Sequence, residues 1–220
     1  DRGHHVRVLT SAPGPTGGEL PGPEIIRIGR RLEVPSNGTR ASIAFHPFYR
    51  QAVRELLSGG IDLLHVHSPL EPFLPWAVLQ EARVPCLGTF HNAGPTHLGY
   101  RLFARWLAPL AERLDLRIAV SRCAAEYAGR RFPGEYIVIP NGVDPMRFHP
   151  RPAAAGTHRQ TVLFVGGLEP RKGLDTLIEA IAIASGRAAI APRLVVVGDG
   201  SLRRRLLREA RSARIDFEWH

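Results

Sequence analysis

Short apolar runs alternate along the chain with stretches whose apolar residues recur at helical spacing. The pattern predicts strands at 5–10, 24–28, 62–67, 84–90, 117–120 and 136–139. It predicts helices at 47–57, 72–81, 99–114 and 123–130. In the helix at 47–57, Tyr49, Ala52, Val53, Leu56 and Leu57 share one face; in the helix at 99–114, Leu102, Trp106, Leu107, Leu110 and Leu114 do so. Strand, helix, strand in series predicts an α/β protein whose parallel sheet is covered on both faces.

The texture changes at 141–158, where three prolines and the turn signal Asn141-Gly142 replace any periodicity. A second unit then starts: strand 161–165, helix 174–184, strand 193–197, helix 202–211 and the beginning of a strand at 215–218. The expected organisation is therefore a first domain over 1–145, a linker over 146–158 and a second domain over 159–220. The opening Asp1-Arg2-Gly3-His4 reads as the tail of a helix with Gly3 at its C′ position. Some sixty residues in the second unit bury little apolar surface. The chain therefore reads as a piece truncated at both ends.

Composition narrows the classes. Of 220 residues 44% are hydrophobic and 22% charged, an ordinary soluble balance. No apolar run approaches the ~20 residues that span a bilayer. Cys86 and Cys123 lie in or beside apolar segments and read as buried free thiols in a reducing cytoplasm. The net charge of +9 calls for an anionic partner. Its arginines are scattered, apart from Arg203-Arg204-Arg205, and no aromatic residues are interleaved with them as nucleic-acid stacking requires. Phosphorylated ligands and an anionic membrane surface fit better, beside a merely solvated surface.

One cation stands apart. Lys172 is the only lysine among the 29 basic side chains. It lies between a buried strand ending in Gly166-Gly167 and a helix beginning at Leu174, where helix amides and an ammonium converge on one spot. Read alone, a phosphate contact and a compositional accident at an exposed helix start both stay open. His91 closes the strand at 84–90, at the edge where such sheets bind ligands. His65 and His67 share a strand face, but no third ligand stands at a metal-binding spacing, so they read as a packing and cleft-lining pair and no metal site is expected. Gly198-Asp199-Gly200 is followed by Arg203 where a dinucleotide fingerprint needs a third glycine, which argues against an NAD site. Asn141-Gly142 and Asp144 read as a turn and helix cap at the domain junction.

Six motifs occur in order: Asp62-Leu63-Leu64-His65-Val66-His67-Ser68-Pro69, Gly88-Thr89-Phe90-His91, Ile118-Ala119-Val120-Ser121, Ile139-Pro140-Asn141-Gly142-Val143-Asp144, Glu169-Pro170-Arg171-Lys172-Gly173 and Val195-Val196-Val197-Gly198-Asp199-Gly200. Together they resemble the retaining GT-B glycosyltransferases of family 4. Pro35-Ser36-Asn37-Gly38-Thr39 followed by Phe45-His46-Pro47 is most similar to the phosphatidylinositol α-mannosyltransferases.

The resemblance implies two Rossmann-like domains, the first lacking its opening βα unit and the second incomplete. It implies an acceptor-binding N-terminal half and a nucleotide-sugar-binding C-terminal half. The activity implied is transfer of a hexose, with mannose from GDP-mannose favoured, to a lipid or glycan acceptor; a UDP-sugar donor and a non-catalytic binding protein are the alternatives. No permanently bound cofactor and no nucleic-acid partner are implied. By the same resemblance Lys172 contacts the donor diphosphate, helped by Gly166, Gly167 and, from the next turn, Arg171. His91 contacts the donor sugar near the reacting carbon, His67 and Asn141 line the cleft, and Asn37 and Thr39 touch the acceptor.

Three departures qualify the picture. Gly167 stands where the family carries an arginine, Ser36 replaces an aromatic residue, and Ser42 replaces a basic one. The helix at 47–57 matches a membrane-contacting element but offers only Arg50 and Arg54, which gives weak recruitment to an anionic inner membrane face. The family's Gly-rich loop and its glutamates spaced eight apart fall outside these residues, so the polypeptide alone is expected to be inactive.

Overall fold

The computed structural model describes residues 3–12, 24–36, 39–45, 48–93, 98–150, 160–187 and 191–220, of which 11–12, 31–36, 39–45 and 98–101 are described by backbone alone. The chain divides into two compact units. The first comprises Asp1–Val34 and Ala41–Asp144; the second comprises Pro145–His220 together with Pro35–Arg40.

The chain opens with β1 (Arg7–Ala12), β2 (Glu24–Ser36) and β3 (Thr39–Phe45), adjacent in that order in one sheet. β1 runs parallel to β2, with Val8 opposite Ile25 and Thr10 opposite Arg27. β2 continues well beyond the predicted end at Ile28. Its register shifts where Ser11 faces Ile28 but Ala12 faces Arg30, leaving Gly29 over at φ +75°. A bulge of this kind uses the left-handed freedom of glycine to keep a strand running across a break in its pattern. The polar Gly29-Arg30-Arg31 step hid that continuation. Pro35 and Ser36 end β2 and Thr39 begins β3, a strand the periodicity did not predict.

Next come α1 (Tyr49–Leu57), β4 (Leu64–His67), α2 (Leu74–Glu81), β5 (Cys86–Phe90), α3 (Leu98–Ala111), β6 (Leu116–Ala119), α4 (Arg122–Gly129) and β7 (Ile137–Val138). β4, β5, β6 and β7 form a parallel sheet in sequence order. α1 buries Tyr49 and Val53 and turns Arg50 and Arg54 outward to one carboxylate, Glu81 of α2, at 2.7 and 2.9 Å. Those hydrogen bonds, from Arg54 first and Arg50 second, hold the Glu81 carboxyl down at about 2. Arg117 of β6 donates to the carbonyls of Ala111, Phe132 and Pro133 and so satisfies the end of α3. The Ser121 hydroxyl accepts from the Ala124 amide at 3.1 Å and caps α4.

Two packing expectations need correcting. α3 buries Leu107, Leu110 and Ala111, with Leu114 just beyond, while Leu102 and Trp106 are exposed. Among the side chains described in this helix, those on the core belong to its C-terminal turns, so helical spacing overstated the buried face. Cys86 is buried, but Cys123 is exposed, because α4 sinks Ala124 and Ala128 instead.

The second unit contains β8 (Thr161–Val165), a single 3₁₀ turn (Pro170–Lys172), α5 (Leu174–Ser185), β9 (Arg193–Val197), α6 (Arg203–Ser212) and β10 (Asp216–Trp219). Its parallel sheet has the order β10-β9-β8, with β9 central. Leu174, Ile178 and Ile181 of α5 and Leu206 and Ala210 of α6 close over Leu194 and Val196. The linker expected at 146–158 lies largely outside the described residues. No helix follows Asp144 as a cap there would require; residues 145–147 form a turn.

Candidate functional site

Each unit presents a cluster at the C-terminal edge of its parallel sheet. In the first, alternation along β4 places His65 and His67 on one face and sends Val66 into the core. The parallel register sets His67 opposite Thr89, and His91 follows directly after β5. The three imidazoles stack in a row, His65 on His67 at 4.5 Å between ring centroids and His67 on His91 at 5.1 Å. Hydrogen bonds fix the row at both ends: His65 Nε2 meets Thr89 Oγ1 at 2.7 Å, and His67 Nδ1 meets His91 Nε2 at 2.8 Å.

Burial lowers the pKa of His65, with the charge of His91 adding to it; burial, then His65 and His91, lower that of His67. Both rings therefore stand neutral at neutral pH. Among the described residues no group of three His, Cys, Asp or Glu side chains is arranged to hold a metal ion.

Close packing supports this edge. A Cβ on Gly88 would lie 2.8 Å from Leu114 Cδ1 and 2.9 Å from Pro69 Cγ, so only glycine lets β5 sit beneath them. Just past His67, Ser68 adopts φ +50° and donates its amide to the Thr89 carbonyl at 2.8 Å. Phe73, which opens α2, has φ +72°. Non-glycine residues in that region carry roughly 1–3 kcal/mol of strain each, and such strain clusters at functional edges.

The second cluster is built from backbone. Gly166 donates its amide to the Val197 carbonyl and Leu168 donates to that of Asp199, both at 3.0 Å. Two loops thereby run side by side with almost no space between them. A Cβ on Gly198, at φ +145°, would fall 2.1 Å from the Gly166 oxygen, and one on Gly200 would fall 2.7 Å from the Leu168 oxygen. Gly198-Asp199-Gly200 is therefore a seam of close backbone approach, a role that neither a dinucleotide fingerprint nor composition reveals. The Gly166 amide is committed to this seam and is no free phosphate donor, whereas that of Gly167 takes no part in it.

Lys172 ends the 3₁₀ turn; Gly173 follows at φ +69°, and α5 begins at Leu174. The Lys172 side chain is exposed and has no carboxylate partner among the described residues, while Arg171 pairs with Glu169 at 3.4 Å. Among the described residues the ammonium is thus an available cation at this edge, and Arg171 is partly neutralised. Arg203 pairs with Asp199 at 3.6 Å and lies over the Trp219 ring at 5.9 Å; Arg205 pairs with Glu209 at 2.6 Å. The basic run at 203–205 is thus largely tied to its own unit.

Of the residues singled out from the sequence, His67 and His91 are brought into direct contact, and Gly166, Gly167, Arg171 and Lys172 share one loop. Asn141 lies in an exposed, irregular segment after β7. Thr39 begins β3 and is described by backbone alone; Asn37 lies outside the described residues. Sequence reasoning missed Thr89, a buried hydroxyl at the base of the histidine row. Its signal was the parity of β5, which pairs it with His67.

Two parallel α/β units in series, each with polar residues gathered at the carboxyl ends of its strands, define a GT-B glycosyltransferase fold. Likeness to solved structures agrees with that class: a glycosyltransferase from Rickettsia africae has a TM-score of 0.59 at 14% identity, covering 97% of this chain and 67% of that one. HepE from Anabaena, solved in complex with UDP, has a TM-score of 0.58 at 20% identity, covering 79% and 51%.

The chain belongs to glycosyltransferase family 4: the Glycosyltransferase Family 4 profile matches residues 1–147, and Glycosyl transferases group 1 matches 146–218. A phosphatidyl-myo-inositol mannosyltransferase of Mycobacterium leprae is 36% identical over 185 residues, covering 82% of this chain and 48% of that protein. A GDP-mannose-dependent alpha-(1-6)-phosphatidylinositol dimannoside mannosyltransferase of Mycobacterium tuberculosis is 34% identical over 117 residues, covering 50% and 30%. The chain spans about half the length of the phosphatidyl-myo-inositol mannosyltransferases it matches.

Proposed function

We propose that the protein is a retaining hexosyltransferase that moves mannose from GDP-mannose to a lipid or glycan acceptor. The observation that carries this reading is the exposed Lys172 side chain, without a carboxylate partner among the described residues, on the loop that follows β8, in a chain whose relatives are mannosyltransferases. In the transfer, the bond between the sugar's anomeric carbon and the phosphate oxygen breaks, and a bond to the acceptor oxygen forms. The acceptor's proton passes to the departing phosphate. The nucleoside diphosphate gains negative charge as it leaves, and a cation already in place stabilises that change without reorganisation. Lys172 takes this role, with the Gly167 amide and the N-terminus of α5 contributing partial positive charge. His91 offers a ring nitrogen to the sugar.

The reading keeps Asn37 and Thr39 as acceptor contacts and Asn141 as a lining residue. Its setting is the cytoplasmic face of the membrane, reached peripherally; among the described residues no helix is long and apolar enough to cross one. Recruitment through α1 is weak on this account, because Arg50 and Arg54 share Glu81 and the trio keeps a single net positive charge.

The test is turnover by the intact protein with radiolabelled GDP-mannose, UDP-glucose and UDP-N-acetylglucosamine, each offered with a phosphatidylinositol acceptor. Mannosyl transfer from GDP-mannose that falls steeply in Lys172→Ala supports the proposal. Transfer only from a UDP-sugar overturns the donor assignment, and no binding of any nucleotide diphosphate overturns the enzyme reading.

A further inference from the structure

Three imidazoles in a row need a reason beyond the one that meets the sugar. If His91 needed only to present a nitrogen to its ligand, any packing neighbour would serve. Instead a second histidine is held with its Nδ1 at 2.8 Å from His91 Nε2. His67 is itself held on its other side by stacking on His65, which Thr89 anchors.

The geometry of that contact has a strict consequence. A neutral imidazole carries one proton, so one ring must donate and the other accept. If His67 donates from Nδ1, His91 accepts at Nε2 and carries its own proton on Nδ1. If His91 donates from Nε2, His67 accepts at Nδ1 and carries its proton on Nε2. Either way the two rings hold the same tautomer, and neither can change alone without breaking the bond.

We propose that His67 is a positioning residue for His91: through the Nδ1–Nε2 hydrogen bond it fixes which ring nitrogen of His91 carries the proton. It thereby sets whether the remaining nitrogen, His91 Nδ1, meets the ligand as a donor or an acceptor. This rests on His91 being the sugar contact proposed above. Partial burial and the neighbouring imidazoles lower the pKa of His67, which favours the neutral ring that can take either the donor or the acceptor side of the bond. Among the described residues, the titratable groups that act on His67 are imidazoles, His65 beside it on β4 and His91 across the hydrogen bond. Second partners of this kind govern histidine tautomers where a ring must present one chosen face.

The experiment uses the intact protein and two readouts. Nitrogen-15 NMR of the imidazoles, taken without substrate, is expected to show single and matching tautomers for His67 and His91. In His67→Ala the His91 ring is expected to relax to the tautomer mixture of a solvated imidazole, and kcat to fall by about tenfold with little change in the donor KM. His67→Asn, whose amide can put a polar atom near the lost Nδ1, is expected to recover most of that kcat.

Opposite tautomers in the unaltered protein, or a His91 ring with the same tautomer ratio in His67→Ala, would overturn the lock. Unchanged kcat in His67→Ala with His91→Ala impaired would overturn its role in turnover. Unchanged kcat in His91→Ala would instead sink the sugar-contact reading, and the substrate-free tautomers would still judge the lock. The tautomers of the unaltered protein need no variant, so a misfolded substitution leaves the question decidable.

Discussion

The two sheet edges gather their polar groups by opposite routes. The edge in the first unit is made of side chains: three stacked imidazoles, a buried hydroxyl and the hydrogen bonds among them. The edge in the second unit is made of backbone, two loops sewn together through Gly166, Leu168, Gly198 and Gly200, with one ammonium standing clear of it. A side-chain site is tuned by exchanging groups of similar size. A backbone site accepts almost any exchange that adds no atom at the seam and tolerates none that does. The two edges should therefore respond differently to single substitutions.

The largest effect is expected where that contrast is sharpest. Gly198→Ala places a methyl 2.1 Å from the Gly166 carbonyl oxygen at a φ of +145°. Strain and overpacking together should destabilise the second unit by about 3 kcal/mol or more, read as a lower midpoint in chemical denaturation. His91→Ala removes a single hydrogen-bonding group and should leave stability almost unchanged. It should lower kcat about 10- to 100-fold, the worth of one hydrogen bond whose partner is left unsatisfied. If both variants lost stability equally, the distinction between the two edges would fail.

Gly167→Arg sharpens the comparison within the second unit. A Cβ there would meet only the Glu169 side chain, at 3.7 Å, so this glycine, unlike Gly198, is not required by the fold. A second cation should tighten GDP binding by about 1 kcal/mol, roughly fivefold, after part of its charge is answered by Glu169. Titration calorimetry reads this directly, and weaker binding would show that Glu169 captures the new arginine.

The smallest effect concerns Glu81. Its folded pKa, about 2, lies below the ordinary carboxylate value of 4.5. The carboxylate therefore adds stability above about 4.5, and that contribution is lost as pH falls from there towards 2. In Glu81→Gln the acid-side loss of stability over this window should shrink slightly; an unchanged profile would show that the arginine pairs add nothing.

Much of this molecule was legible in its residues, and the gaps have physical causes. From Tyr49 onward the order of strands and helices followed from periodicity, but β3 (Thr39–Phe45) was not predicted. β2 escaped beyond Ile28 because a bulge at Gly29 let the strand cross a polar step. Leu102 and Trp106 kept helical spacing yet are exposed, since periodicity reports a face and not how far along the helix the core reaches. Lys172 was visible as a chemical singularity. Gly166, read as a phosphate donor, has its amide taken by Val197, and only three-dimensional pairing could show that. The matching of His67 to His91 was equally hidden, because strand register is not written in either segment alone.

The proposal turns on Lys172 as the contact for the donor diphosphate. The most direct measurement is the affinity of GDP for the intact protein by titration calorimetry, compared among the unaltered sequence, Lys172→Arg and Lys172→Ala. Loss of this contact should weaken GDP binding by roughly 10- to 100-fold in Lys172→Ala, with Lys172→Arg falling between. Equal affinity in all three would contradict the claim.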